Sequence, residues 1–94
     1  MKSQSVYKIP QGKLVKISVE YDEDTHVLRN IKITGDFFAY PEEAIEVIEQ
    51  HLKNTVLEQG LLQQKISSII TQNHFEFIGL TAEGLTQGIL MCIP

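Results

Sequence analysis

In Lys13-Leu14-Val15-Lys16-Ile17-Ser18-Val19-Glu20-Tyr21 every second residue from Val15 onward is apolar or aromatic. Successive side chains of a strand point to opposite faces, so Val15, Ile17, Val19 and Tyr21 share one face and mostly polar groups the other. The segment therefore reads as a half-buried strand. Downstream, Asp22-Glu23-Asp24-Thr25 supplies turn-forming side chains, and Val27, Ile31 and Ile33 resume an alternating pattern up to Thr34. The two runs predict an antiparallel hairpin. Upstream, Ser5 to Ile9 is a short β-prone stretch stopped by Pro10 and Gly12, which suits a first strand at the sheet edge.

Beyond Pro41 the period changes. Proline suits the first position of a helix, Glu42 and Glu43 stand where the macrodipole favours negative charge, and Ile45, Ile48 and Leu52 form one stripe. A first helix is predicted from Pro41 to Lys53. A second, from Leu57 to Thr71, places Leu62, Ile66, Ile69 and Ile70 at helical spacing, with Gly60 weakening its first turn and Asn73-His74 as its exit. Thr81 caps a third helix from Ala82 to Met91, in which Leu85 and Ile89 point one way and Gly84 and Gly88 leave a shallow side that allows close helix packing or merely marks a weak helix. No linker or repeat divides the chain. Strands first and helices after predict one α+β domain over residues 1–94: a three-stranded antiparallel sheet with about three helices on one face.

At 94 residues such a fold buries roughly 60–65% of the unfolded surface, enough for one core but hardly for a deep cleft besides. The size favours a module over a self-contained enzyme. With 43% hydrophobic residues the chain is not disordered, and its interspersed charges leave no membrane span. The net charge of −4 suggests neither nucleic acid nor an anionic membrane as partner. The lone Cys92 makes no internal disulfide, and no apolar leader follows Met1-Lys2-Ser3-Gln4, so a cytoplasmic location is expected.

Few side chains suggest chemistry. His26, His51 and His74 are dispersed without ligand spacing, so no metal site is expected. His51 fits the carbonyls at the end of the first helix, and His26 and His74 fit the surface. Cys92 in its apolar tail reads as a packed thiol. The acidic turn lacks the spaced ligands and central glycine of a calcium loop. The informative segment is Ile33-Thr34-Gly35-Asp36-Phe37-Phe38-Ala39-Tyr40-Pro41, where a strand ends in a glycine, an acid and two adjacent aromatics. Adjacent residues leaving a strand diverge, so Phe37 and Phe38 do not both enter one core. Two readings stand: a purely structural turn, with Gly35 at positive φ, Asp36 capping, one Phe in the core and the other against the helix start, or a binding loop.

The hairpin beginning Lys13-Leu14-Val15-Lys16-Ile17, the run Ile31-Lys32-Ile33-Thr34-Gly35-Asp36-Phe37-Phe38, the helix opening Pro41-Glu42-Glu43, and Ile78-Gly79-Leu80-Thr81-Ala82-Glu83-Gly84-Leu85 near the end together resemble the C-terminal accessory domain of lipoate–protein ligase. The likeness spans nearly the whole chain. It implies a fold similar to the iron–sulphur scaffold-like proteins, although one cysteine cannot hold a cluster. It also implies a role. In that family lipoate and ATP form lipoyl-adenylate with release of pyrophosphate, and the lipoyl group then passes to a lysine of an acceptor domain. The accessory domain is fused to the catalytic one or, in some archaea and bacteria, encoded separately. A chain of this length beginning at Met1 fits the separate form.

The expected function is a non-catalytic subunit needed for adenylation, in a heterodimer with the catalytic subunit. Lipoyl-acceptor proteins are met indirectly, and ATP, magnesium and lipoate are bound only in the complex. No catalytic residue is expected here; the expected substrate- or partner-facing loop is Lys13, Gly35, Asp36, Phe37 and Phe38, with Lys13 offering charge and the loop offering backbone N–H groups and an apolar contact. The alternative is a stand-alone binding or regulatory module of the same fold.

Overall fold

A computed structural model describes residues 1–93. Three strands, β1 (Lys2–Lys8), β2 (Leu14–Tyr21) and β3 (Leu28–Gly35), form an antiparallel meander in the order β1-β2-β3. Its inner face carries Val15, Ile17, Val19 and Tyr21 from the alternating segment, all buried, beside Leu28, Ile31 and Ile33 of β3 and Ile9 just beyond β1. The α+β architecture expected from the order of elements is the one observed.

The turn after β2 is held by Asp22, whose Oδ1 accepts from the Asp24 and Thr25 backbone N–H groups at 2.9 and 3.2 Å. The pairing Glu20↔Asn30 is followed by Tyr21↔Leu28, so Arg29 is an extra residue in a bulge. The bulge shifts the alternation. Leu28, not Val27, enters the core, while the half-buried Val27 bridges to Val56. The outer edge of β3 is closed by the same segment, since Leu28 donates to the Thr55 carbonyl at 2.8 Å, and by the Glu49 carboxylate, which accepts from Ile33 N–H at 2.7 Å. That removes one free edge of the sheet.

Three helices cover the inner face: α1 (Ala44–Leu52), α2 (Gln59–Gln72) and α3 (Ala82–Leu90). The first starts three residues later than its sequence predicts. Phe38–Tyr40 forms a short strand, β4, paired antiparallel with β5 (Glu76–Ile78), and Pro41–Glu43 makes the turn out of it, with Pro41 carbonyl accepting from Ala44 N–H at 3.0 Å. Those residues cannot both turn the chain and begin the helix. The apolar stripes are close to those expected: Ile48 and Leu52 are buried on α1 and Leu62, Ile66 and Ile69 on α2, while Ile45 and Ile70 are only half-buried and Ala44 takes the remaining inward place on α1. Glu58 caps α2 through bonds from Gly60 and Leu61 N–H at 3.1 and 2.9 Å, flanked by the buried Leu57 and Leu62 at staple positions. Thr81 caps α3, its hydroxyl accepting from Gly84 N–H at 2.9 Å.

The shallow side of α3 meets the sheet, not another helix. A Cβ on Gly84 would lie 2.8 Å from Ile9 side-chain carbons, and one on Gly88 would lie 2.7 Å from Ile17 Cδ1. The helix backbone therefore rests directly on β1 and β2, close enough for Ser5 Oγ to donate to the Gly88 carbonyl at 2.7 Å. Gly84→Val should lower the unfolding free energy by about 1–3 kcal/mol through overpacking, whereas Gly60→Ala, at an exposed site with room, should raise it by about 0.5–1 kcal/mol; urea titration reads both.

Acid should also act through two carboxylates. Glu58 is held below its usual range by the Leu61 and Gly60 N–H groups, and Asp22 by those of Thr25 and Asp24. A depressed folded pKa contributes stability above the unfolded value that is lost as pH falls through the folded one, so unfolding should become easier below about pH 4. Glu58→Gln should flatten that acid limb in thermal melts recorded from pH 7 downward.

Candidate functional site

Where β3 leaves the sheet, Val15 pairs with Gly35 and the next rung joins Leu14 to Asp36. Asp36 N–H donates to the Leu14 carbonyl at 3.3 Å, and its carboxylate, in place of its own carbonyl, accepts from Leu14 N–H at 3.1 Å. The side chain completes the rung while the backbone turns away. Gly35 does not take positive φ as the turn reading expects. It is needed for close approach: a Cβ there would strike the Leu14 carbonyl and come within 2.9 Å of the Phe37 ring.

The two aromatics part as expected. Phe37 is half-buried against the core, and Phe38 stands 72% exposed. Phe38 does not pack on the start of α1; it begins β4, directly opposite Ile78 of β5, which is 67% exposed. Two residues on, Tyr40 is 73% exposed opposite Glu76. Ala39 and Phe77 occupy the other side of this ribbon, where Phe77 meets Phe75 edge-on with ring centroids 6.4 Å apart. Phe38, Tyr40 and Ile78 thus cluster on one outward face, which Glu76 shares at its edge, and together expose more apolar surface than scattered single side chains.

Lys13 joins this end of the molecule through Gly79. Its N–H donates to the Gly79 carbonyl at 3.0 Å, and its stem crosses the place where a Cβ on Gly79 would stand. Gly79 has φ +87°, so both its conformation and its missing side chain are used. Hence Lys13, Gly35, Asp36 and Phe38 surround one end of the sheet, with Phe37 behind them. Sequence reading missed Tyr40, Ile78 and Gly79. The signal was present in Phe38-Ala39-Tyr40 and Glu76-Phe77-Ile78, two alternating triplets too short to stand out alone.

The remaining candidates keep bland roles. His51 Nδ1 lies 2.8 Å from the Val47 carbonyl one turn back. His26 and His74 are exposed at φ 57° and 55°. Burial pushes the Cys92 thiol pKa up, and its Sγ donates weakly towards the Ile17 and Gly88 carbonyls at 3.8 Å. Among the described residues no three His, Cys, Asp or Glu side chains converge on a metal position, and no helix is long and apolar enough to cross a membrane. The groups gathered at this end of the sheet are suited to contact: aromatic and aliphatic area, one lysine, and a turn whose acid is engaged by backbone.

The bacterial lipoate protein ligase C-terminus family matches residues 8–89, a span containing every residue of this site. The chain belongs to that family. Its fold is shared with a solved structure from Thermoplasma acidophilum, described as an archaeal lipoylation system with a bi-partite lipoate protein ligase and its E2 lipoyl domain. The likeness covers 95% of this chain and 94% of that one at TM-score 0.80 and 24% identity. No curated protein matches the chain. Within the family fold, the junction singled out in sequence is thus the place where sheet, ribbon and β1–β2 turn meet.

The two roles in this loop should separate experimentally. Gly35→Ala should cost about 1–3 kcal/mol and Asp36→Ala about 1 kcal/mol, the latter partly restored by Asp36→Asn, while Phe38→Ala should change stability by less than about 0.5 kcal/mol. Denaturant unfolding of the four variants checks this.

Proposed function

We propose that this chain is the non-catalytic accessory subunit of a two-chain lipoate–protein ligase, required for the step in which lipoate and ATP form lipoyl-adenylate. Membership of the ligase C-terminus family over residues 8–89 carries the reading. The likeness to the Thermoplasma acidophilum fold, over nearly all of both chains, supports it, because the ligase described there is bi-partite. On this reading the catalytic subunit holds ATP, magnesium and lipoate and later passes the lipoyl group to the acceptor lysine.

The exposed ribbon is the surface through which the subunit acts. Phe38, Tyr40 and Ile78 offer three large side chains, each contributing about 1.5–3 kcal/mol if fully buried against a partner. Such a contact lets the domain close over the adenylation site and exclude water from the mixed anhydride. Lys13 and the turn at Gly35-Asp36 sit at the rim of that surface. Asp36 orients the loop: its carboxylate is occupied by Leu14 N–H.

The experiment is to assay lipoyl-adenylate formation by the catalytic subunit with and without this chain. Adenylate should form readily only when both are present; equal formation by the catalytic subunit alone would overturn the proposal and favour a stand-alone module. Phe38→Ala, which leaves the fold intact, should lower adenylation about tenfold or more while transfer from preformed lipoyl-adenylate falls less.

A further inference from the structure

The net charge of −4 conceals a segregated surface. The outward side chains of the meander are set by its register: Lys2 opposite Glu20, Gln4 opposite Ser18, Val6 opposite Lys16 and Lys8 opposite Leu14 on one side of β2, with Ser18 opposite Lys32 on the other. Four of the chain's eight basic side chains, Lys2, Lys8, Lys16 and Lys32, therefore share one exposed face. No lysine stands directly across from another, so the array avoids the strongest repulsion while concentrating one sign of charge. The carboxylate within it, Glu20, accepts from Asn30 Nδ2 at 3.0 Å.

Only Lys2 stands opposite a carboxylate, Glu20, and the two form no close ion pair. Among the described residues the ion pair observed is Arg29 with Asp22, at 3.9 Å on the β2–β3 turn. Lys8 Nζ donates to the Ile9 carbonyl at 3.2 Å, and among the described residues no side-chain bond of Lys2, Lys16 or Lys32 is seen. Between Lys2 and Lys32 the sheet forms a shallow depression of about 490 Å³, lined also by the small side chain of Ser18 and by Glu20 with its partner Asn30. It is wide and open, with no buried polar group to grip a small anion, and so suits side chains projecting from another surface. A uniformly anionic polymer or bilayer would meet this face but repel the acidic remainder of the molecule, whereas a protein bearing a local acidic patch would not.

We propose that the outer face of the sheet docks an acidic face of the catalytic subunit, an inference that rests on the accessory-subunit reading. Continuity selects this occupant. Leu14, 37% exposed, lies between Lys8 across the strand and Lys16 along it, and its backbone carries the Asp36 rung from which the chain runs into Phe38. The chain thus passes directly from the edge of the basic face into the apolar ribbon, so a partner reaching both would meet apolar contact beside a polar, charged region, as specific interfaces combine them. The ribbon supplies the buried contact, and the lysines steer approach and fix orientation.

The test compares wild type with the triple variant Lys2→Glu/Lys16→Glu/Lys32→Glu for binding to the catalytic subunit, over a salt series, with circular dichroism as the check on folding. Wild-type affinity should fall as salt is raised from about 50 to 500 mM, and the triple variant should bind about tenfold or more weakly at low salt, mainly through slower association. A folded triple variant within about twofold of wild-type affinity would overturn the proposal, as would a loss seen only towards the lipoyl-acceptor domain or anionic vesicles. Should the variant not fold, the salt series on wild type decides, and salt-insensitive binding overturns it. In each of these cases the accessory role stands if adenylation still requires the chain; absence of any binding by wild type would remove both.

Discussion

At Gly84 and Gly88 the backbone of α3 lies directly on side chains of the sheet layer with no side chain of its own between, and much of the molecule is arranged around that contact. Gly84 and Gly88 leave room for Ile9 and Ile17, Ser5 bonds the Gly88 carbonyl, and the buried Cys92 follows one turn later. Because the helix is fixed there, the segment entering it is fixed too: buried Leu80 and the Thr81 cap anchor the chain directly after Gly79. Gly79 in turn holds Lys13 and ends β5, and β5 holds β4. The outward display of Phe38 is thus coupled to close packing between α3 and the opposite face of the meander. Close-packed interiors transmit such constraints because they cannot relax around a misplaced group.

The sheet has two unlike faces, and the difference follows from the period of two. One set of side chains on β2 is buried and hydrophobic, while the alternate set, Lys16, Ser18 and Glu20, meets solvent together with lysines from its neighbours. Stability resides mainly in the first face. Recognition is what we propose for the second and for the ribbon at its end. A moderate negative total charge is compatible with this because the acidic groups lie largely elsewhere, in the β2–β3 turn and along the helical layer.

Much of the architecture was legible in residues 13–34 and in the helical stripes, because alternation, caps and stripes are local. Thr81 as a cap, His51 against a carbonyl one turn back and Cys92 as a packed thiol were all visible for that reason. The bulge at Arg29 was not, since an inserted residue changes which side chain faces inward without altering composition. Of the site, the junction from Gly35 to Phe38 stood out by its unusual order of residue types. Its physical content differed: glycine answers to crowding by the Leu14 carbonyl, and aspartate substitutes its side chain for a strand carbonyl.

Local sequence was sufficient for the meander, the inward faces of α1 and α2 and the divergence of two adjacent phenylalanines, since each depends on neighbours within a few residues and on fixed backbone periods. The pairing of Phe38–Tyr40 with Glu76–Ile78 depends on chain far away in sequence, and three-residue strands carry too little signal to announce themselves. Only the folded chain could bring those triplets together, delay the start of α1 to Ala44 and put Phe38, Tyr40 and Ile78 on one face. The same holds for the lysines. Their places along three strands become a single charged surface only when register sets which side chains stand across from one another.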